Sequence, residues 1–471
     1  MATRFTTKKT GPSVLTWEDD PISTTPARPI SAPVPSLGKS PYSLALSGKA
    51  PAPKAYPKGT GDFRYWDAAV ALRRGADFWG APVPAGTTWQ PGGTLKVTLD
   101  HGVDLNAYYD RKGLWFFHDT VAGTTVYSGE SPDVLCHEQG HAILDSIRPE
   151  LWDAMSAEVA AFHESFGDMS SILAGLQVPS LRAAVLSETG GTLYRNSRLS
   201  RLAEQLGWAI RQIQPDAVDP DCLRNAVNSF FYRDPLSIPD SGPASHLTSE
   251  PHSFSRVFTA GFFEALGGMA ATIASPATDA ALVTASRDAG TLLVDAVRSA
   301  PVAAGYYSQV AAHMVSADQS HFSGKYSQAL KSAFVRRGIL SLKSVAELKP
   351  ESLRRADTTR GRSAAAAPAG LSTLALAAGD FALGAGRIYV QAASASPLFR
   401  VASAASAVSA AGAAKAFLAY LFRRGRIDLA GHGDTATRVE HRLARKTHDL
   451  VRHGPDYSVV RRTFDCGFEF A

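Results

Sequence analysis

The feature that most constrains this chain is a run of five residues, HEQGH, from His137 to His141, which fits the pattern H-E-x-x-H. The residues on both sides of the run are apolar and include no proline close by, so we expect it to lie within an α-helix. Because a helix places residues four apart on one face, both imidazoles project together and can bind one zinc ion. Glu138 then faces the open coordination position, where a carboxylate can accept a proton from a metal-bound water.

A catalytic zinc ion has three protein ligands and one open position, so the pattern requires a third ligand. The next helical segment contains Glu164 and Asp168, which are four apart and therefore share a face. Glu164 would complete a site of two histidines and one glutamate, and Asp168 would accept the outer N–H of a ligand histidine. The alternative is a solvated helix edge, which the apolar neighbours Phe162, Phe166 and Met169 disfavour.

The composition excludes several classes of protein. With 471 residues, 45% of them apolar, the chain is long enough for two or three folded units. The net charge of +5 is small for this length and does not favour a nucleic-acid partner. Three cysteines exclude a disulfide scaffold. Neither a membrane span nor a secretory signal is visible, so we predict a cytoplasmic protein, with export by a non-classical route as the alternative.

Four regions are predicted along the chain. Residues 1–60 are rich in proline, serine, threonine and lysine and are predicted to be a disordered tail. Residues 61–175 are predicted to form a β-rich lobe with the zinc-binding helices, and residues 176–340 a helical lobe. Residues 341–471 are an alanine-rich C-terminal extension of unknown role, either tightly packed small-residue helices or partly disordered linker. Strand-like alternation occurs at residues 94–99, 113–117 and 124–127.

Over residues 94–340 the chain resembles the thermolysin-like neutral zinc metalloproteases, which are gluzincin endopeptidases. The resemblance implies an α+β fold with a small N-terminal β-sheet lobe, an active-site helix and an all-helical C-terminal lobe, plus the extension. It implies hydrolysis of a peptide or protein substrate by a metal-activated water with Glu138 as general base; it leaves the oligomeric state open. The motifs that carry it, in the family's order, are Leu105–Tyr109, Tyr127–His141, His163–Asp168 and Pro251–Ser255.

The resemblance also implies roles for individual residues. Asn106 and Ala107 would lie on an edge strand that binds the substrate as an added β-strand. His252 would stabilise the tetrahedral oxyanion, and Arg224 would hold a substrate carbonyl. His246 is an alternative to His252, which is preferred because a helix follows it at the right distance.

The sequence also departs from the family's pattern. The tyrosine that stabilises the oxyanion is missing, and Trp152 is considered as its substitute. Leu247 occupies the position of the acid that partners the catalytic histidine, and Glu250 is the nearest acid. Asp133 matches one calcium ligand, but the later acidic cluster is missing and Gly175 falls where a carboxylate is needed, so a structural calcium site is not expected.

These departures motivate two alternatives. The first is a catalytically weak, zinc-containing binding or assembly module with a metalloprotease fold, against which the intact Glu138 argues, because a structural zinc site needs no general base. The second is a toxin or processing factor whose C-terminal extension directs it to one partner. Cys466 could in principle cap the zinc ion as an inhibitory thiolate, but an ordinary surface or core cysteine is the preferred interpretation.

Overall fold

The computed structural model describes residues 11–23, 27–33, 38, 42–348, 370–394, 399, 409–429 and 445–466. These residues form a mixed α+β fold of small sheets and twelve α-helices, which confirms the α+β prediction. The helices are α1 (Gly61–Trp79), α2 (Pro132–Ile147), α3 (Glu150–Asp153), α4 (Ala157–Gly175), α5 (Pro179–Thr189), α6 (Glu204–Ile213), α7 (Pro251–Ile273), α8 (Asp279–Ser299), α9 (Tyr306–Phe322), α10 (Ser327–Arg336), α11 (Leu342–Glu347) and α12 (Ala410–Arg423). The strands are β1 (Ser13–Thr16), β2 (Arg28–Ser31), β3 (Leu44–Leu46), β4 (Leu95–Thr98), β5 (Ala107–Tyr109), β6 (Gly113–Phe116), β7 (His118–Val121), β8 (Thr124–Tyr127), β9 (Arg201–Leu202), β10 (Arg224–Asn225), β11 (Leu371–Ala377), β12 (Arg387–Ala393), β13 (Ile427–Asp428), β14 (His448–His453), β15 (Asp456–Arg461) and β16 (Phe464–Asp465).

One five-stranded sheet lies beside the site and has the order β16-β5-β6-β4-β3. Strands β3, β4 and β6 are parallel neighbours, whereas β5 is antiparallel to β6 and β16 is antiparallel to β5. The alternation of apolar and polar residues explains why β4 forms a strand with one buried face: Leu95 and Val97 are fully buried and Lys96 is exposed. The strands predicted at residues 94–99, 113–117 and 124–127 are confirmed as β4, β6 and β8.

Helix α4 is the central helix of the fold, because it packs against α2 on one side and α7 on another. It begins at Ser156, whose hydroxyl accepts the N–H of Val159, and nearly every residue along it is buried. Phe166 stacks on Trp79 of α1 with ring centroids 5.0 Å apart.

Among the described residues, no single helix is long and apolar enough to span a membrane; α4 and α5 meet that criterion together, as a pair bent by 101°.

The prediction of a disordered tail over residues 1–60 is wrong for the part that the structure describes. Strands β1 and β2 form an antiparallel hairpin, and Val14 is fully buried. Asp20 is buried too, and its carboxylate accepts the hydroxyl of Ser131, the N-cap of α2, at 2.7 Å. Asp67 of α1 accepts the backbone N–H of Trp17 at 2.7 Å. The average composition of 60 residues concealed this short apolar segment.

We therefore expect removal of residues 1–23 to destabilise the fold. Burial of a valine side chain such as Val14 is worth about 1.5–3 kcal/mol. Thermal unfolding should show a lower midpoint for the shortened chain, and Val14→Ala should reproduce part of the loss. Ile22→Ala is the matched control, since Ile22 remains 46% exposed. An unchanged midpoint after the deletion would restore the prediction of a dispensable tail.

The described residues of the C-terminal extension include a second five-stranded sheet, with the order β11-β12-β15-β14-β13, and helix α12. Strands β11 and β12 pair along their whole lengths, from Leu371 opposite Ala393 to Ala377 opposite Arg387. The alanine-rich part was predicted to be either packed small-residue helices or partly disordered linker, and α12 fits the first of these. Residues 349–369, 395–398, 400–408 and 430–444 lie outside the described residues. The sheet joins the rest of the fold through the N–H of Met155, which is donated to the carbonyl of Gln391 at 2.7 Å.

Candidate metal centre

Three buried side chains from α2 and α4 meet as the sequence predicted. Glu164 places Oε2 3.4 Å from Nε2 of His137 and Oε1 3.7 Å from Nε2 of His141. Donor atoms that share a tetrahedral zinc ion at about 2.0–2.1 Å lie roughly 3.3–3.4 Å apart, close to these separations. One ligand atom each of His137, Glu138 and His141 also lies within 4.8 Å of the others, so this buried group could hold a metal ion.

Several polar atoms at this centre are buried without a hydrogen bond: Nε2 of both histidines, Oε2 of Glu164 and both carboxylate oxygens of Glu138. Their polar neighbours include Nε2 of His252, 3.3 Å from Oε2 of Glu164, and the thiol of Cys466 beside Glu138. Buried polar atoms in native proteins are almost always paired, so several unpaired ones that converge indicate a ligand. Two imidazole nitrogens and one carboxylate form a donor set that suits zinc.

Asp168 orients one of the histidines. Nδ1 of His137 donates to Oδ1 of Asp168 at 3.1 Å, which leaves the lone pair of Nε2 directed at the centre. Burial alone would raise the pKa of Asp168, but the guanidinium of Arg224, with Nη2 2.9 Å away, and the contact with His137 lower it well below its usual value. Asp168 is therefore ionised. Burial would lower the pKa of His137, but Asp168 and Glu164 raise it to about 9, so a metal ion that binds Nε2 must displace a proton from this ring.

Two glycines allow α2 and α4 to approach closely at this point. A Cβ atom on Gly167 would lie 2.6 Å from the ring of His137, and one on Gly140 would lie 2.6 Å from Oγ of Ser170. Sequence analysis missed these positions, although a signal was present. Glycine within a helix costs about 1 kcal/mol relative to alanine, so its presence indicates a packing requirement.

Gly167→Ala should weaken metal binding, because the added methyl group would displace the imidazole of His137. Misplacing a group that orients a ligand typically costs about 10–100-fold in metal affinity, and we expect a loss in that range. Competition with a chromophoric chelator would measure the zinc dissociation constant. Gly61→Ala is the control, since a Cβ there meets nothing within 4 Å. Equal affinity for the two variants would contradict the proposed packing role.

His252 is brought to the centre, whereas His246 is an exposed loop residue hydrogen-bonded to its neighbour Ser245. Nδ1 of His252 donates to Oε1 of Glu250 at 2.7 Å, and its Nε2 lies 3.3 Å from Oε2 of Glu164. Burial lowers the pKa of His252, but Glu164 and Glu250 raise it to about 10, so both ring nitrogens donate. The sequence offered Glu250 only as the nearest acid, and the structure places it as the partner of His252.

Arg224 and Trp152 make different contacts near the centre. Besides binding Asp168, Arg224 lines a cavity of about 420 Å³ together with His252 and Cys466. The indole N–H of Trp152 points toward the backbone carbonyl of Arg461, 3.4 Å away. The suggestion that Trp152 replaces the family's tyrosine is therefore wrong for this conformation, because its donor is already used.

The edge strand predicted to bind substrate is β5, and it is already paired. Its Ala107 carbonyl accepts the N–H of Cys466 at 2.9 Å, and Tyr108 lies opposite Asp465 in the antiparallel register. The side-chain oxygen of Asn106 accepts the N–H of Ala107 at 2.9 Å, so this amide oxygen is turned back on its own backbone. Sequence analysis did not predict that the C-terminal segment occupies this edge.

Asp133, the position matched to a calcium ligand, has acidic neighbours that the sequence comparison missed. Burial raises its pKa well above the usual value, and the charges of Asp19, Asp20 and Glu204 raise it further. Burial likewise raises the pKa of Asp19 to about 8 and that of Asp20 to about 6. Two of these acidic neighbours, Asp19 and Asp20, come from the N-terminal segment, which the resemblance did not indicate. Gly175 instead packs against leucine side chains.

No protein-family model matches this sequence, and no curated protein matches it. The function must therefore be argued from the residues at the centre.

Proposed function

We propose that this protein is a zinc-dependent endopeptidase of thermolysin-like architecture. The observation that carries the proposal is the convergence of unpaired, buried atoms of His137, His141 and Glu164 beside a carboxylate, Glu138, that also lacks a hydrogen bond. A site that only stabilised the fold would have four protein ligands and would need no general base beside them. Peptide or protein substrates and a cytoplasmic location are parts of the same proposal.

The residues around the centre have separate tasks in this reaction. Zinc bound there would lower the pKa of a bound water and polarise the scissile carbonyl. Glu138 would accept a proton from the attacking water and return it to the leaving amine. His252 donates a hydrogen bond to the oxygen on which negative charge develops, and Glu250 holds its ring in place. Asp168 keeps His137 in the tautomer that binds metal.

Substrate would be positioned by the sheet edge and by Arg224. Strand β5 presents backbone groups to a pairing strand, as Ala107 does to Cys466. Arg224 lines the cavity beside His252, where its guanidinium can reach a substrate carbonyl while it remains paired with Asp168. The main-chain contacts would give affinity, and the cavity would select a side chain.

Metal analysis tests the proposal directly. We expect one zinc ion per chain in the purified protein, lost on treatment with a chelator and strongly depleted in His141→Ala. His246→Ala is the matched control and should retain zinc, because His246 lies on an exposed loop. Zinc content that is the same in His141→Ala and the control would overturn the assignment of the ligands.

One observation favours the alternative of a zinc-containing binding module with little turnover. The groove of the full chain holds β16, so turnover by the intact protein should be low. The two functions differ in a chain that ends at Arg462. If that chain binds zinc and cleaves unstructured peptides such as casein, the endopeptidase is supported; if it binds zinc and cleaves none, the binding module is.

A further inference from the structure

The C-terminal segment Thr463–Cys466 makes the contacts that an extended peptide would make in the groove. It adds antiparallel to β5, and the N–H of Cys466 donates to the carbonyl of Ala107 at 2.9 Å. The carbonyl of Asp465 accepts the Nε2–H of His252 at 2.6 Å. His252 is the residue proposed to donate to the scissile carbonyl oxygen, so the peptide bond after Asp465 sits where a substrate bond would be held.

Side chains fix this segment in place. Phe464 stacks on the ring of His163 with centroids 3.9 Å apart and on His141 at 5.2 Å. The guanidinium of Arg461 lies over the phenyl ring, 4.1 Å from its centroid. The hydroxyl of Thr463 donates to the carbonyl of Tyr109 at 2.9 Å.

Asp465 adds a buried ion pair. Its Oδ1 accepts a hydrogen bond from Nη2 of Arg426 at 2.8 Å, and both side chains are almost wholly removed from solvent. Leaving a buried charge unpaired is strongly unfavourable, so Arg426 selects this segment and this register. Because each residue from Thr463 to Asp465 has a dedicated partner, the segment is a built occupant of the groove.

Cys466 follows the carbonyl held by His252, and its thiol is buried beside the carboxylate of Glu138. One ligand atom each of His137, Glu138 and His141 lies within 4.8 Å of the others. Cysteine sulfur is a strong zinc ligand once it has lost its proton. A sulfur atom beside Glu138 is therefore close to the ligand atoms of the two histidines.

We propose that Thr463–Cys466 is an internal occupant of the peptide groove and that the Cys466 thiolate is the fourth ligand of the metal. The proposal rests on the proposed function, which assigns the metal to His137, His141 and Glu164. The exchange involves no change of oxidation state: the S–H bond breaks, its proton passes to the Glu138 carboxylate or to solvent, and the sulfur lone pair forms the bond to the metal. The thiolate would then fill the coordination position that a catalytic site keeps for water, and the segment would pair with β5 where substrate would bind. The full chain is therefore latent, and removal of the segment opens the site.

Cobalt substitution tests the ligand without reference to activity. Co²⁺ would replace zinc in the full chain, in Cys466→Ser and in Cys222→Ala, the control that removes a buried cysteine outside the centre. We expect a near-ultraviolet thiolate-to-cobalt absorption band in the wild-type protein and in Cys222→Ala, and its loss in Cys466→Ser. A spectrum without this band in the wild type, or a band that survives in Cys466→Ser, would overturn the ligand assignment.

Cleavage assays test the occupant. We expect a chain ending at Arg462 to cleave a fluorogenic peptide at least about 10-fold faster than the full chain, with full-length Cys466→Ser in between. Equal rates for the full and shortened chains would refute latency while supporting the endopeptidase. If no variant cleaves but the cobalt band is present, the thiolate ligand stands and the endopeptidase fails. If cleavage and band are both missing, the inference fails as well.

Discussion

In a chain shortened after Arg462, Glu138→Gln is expected to reduce kcat for peptide cleavage by about 10²–10⁴ while zinc content stays at one per chain. Glutamine has nearly the same shape as glutamate but cannot accept the proton of the attacking water. Glu138 is fully buried, and the thiol of Cys466 that lies beside its carboxylate is missing from the shortened chain, so the substitution removes no structural contact there.

The measurement is kcat and KM on one peptide, with zinc determined on the same samples. Glu188→Gln is the control, since Glu188 is an exposed carboxylate paired with Arg198 far from the centre in the chain. Unchanged kcat in Glu138→Gln would remove the general base from the mechanism. A loss of zinc together with activity would instead mean that Glu138 is a metal ligand, and the assignment of Glu164 would have to be revised.

The sequence predicted those features of the site that depend only on the spacing of residues within one helix. The spacing of His137 and His141 on one helix, and of Glu164 and Asp168 on the next, follows from the period of the α-helix. That these two faces meet is a tertiary fact, and the sequence indicated it only through the resemblance. The close approach itself depends on Gly167, whose role appears only when the ring of His137 is in place.

Contacts between distant segments were not predictable in this way. Asp20 and Ser131 are 111 residues apart, and His252 and Asp465 are 213 apart, so no periodicity relates them. Asp20, whose carboxylate accepts the hydroxyl of Ser131 at the start of α2, lies in a segment whose composition resembles a linker. Cys466 resembles an ordinary packed cysteine until strand pairing places it beside Glu138. In each case the information lies in which surfaces pack together, and a single sequence does not display that.

The second large effect is expected at the buried pair of Asp168 and Arg224. Asp168→Ala would leave the guanidinium of Arg224 buried without its carboxylate, and breaking such a pair typically costs about 3–5 kcal/mol of unfolding free energy. The same change removes the acceptor that orients His137, so zinc affinity should fall by about 10–100-fold. Denaturant unfolding of the metal-free protein and zinc competition would measure the two losses separately.

Two further variants separate charge from shape. Asp168→Asn keeps an oxygen that accepts the Nδ1–H of His137, so its zinc affinity should lie between that of Asp168→Ala and the wild type. In the double variant Asp168→Asn with Arg224→Gln no charge is left unpaired, and the loss of stability should be smaller than the sum of the two single losses. Strict additivity would mean that the two side chains act independently. In that case Asp168 would orient His137 without help from Arg224, and the ionised state of Asp168 would need another source.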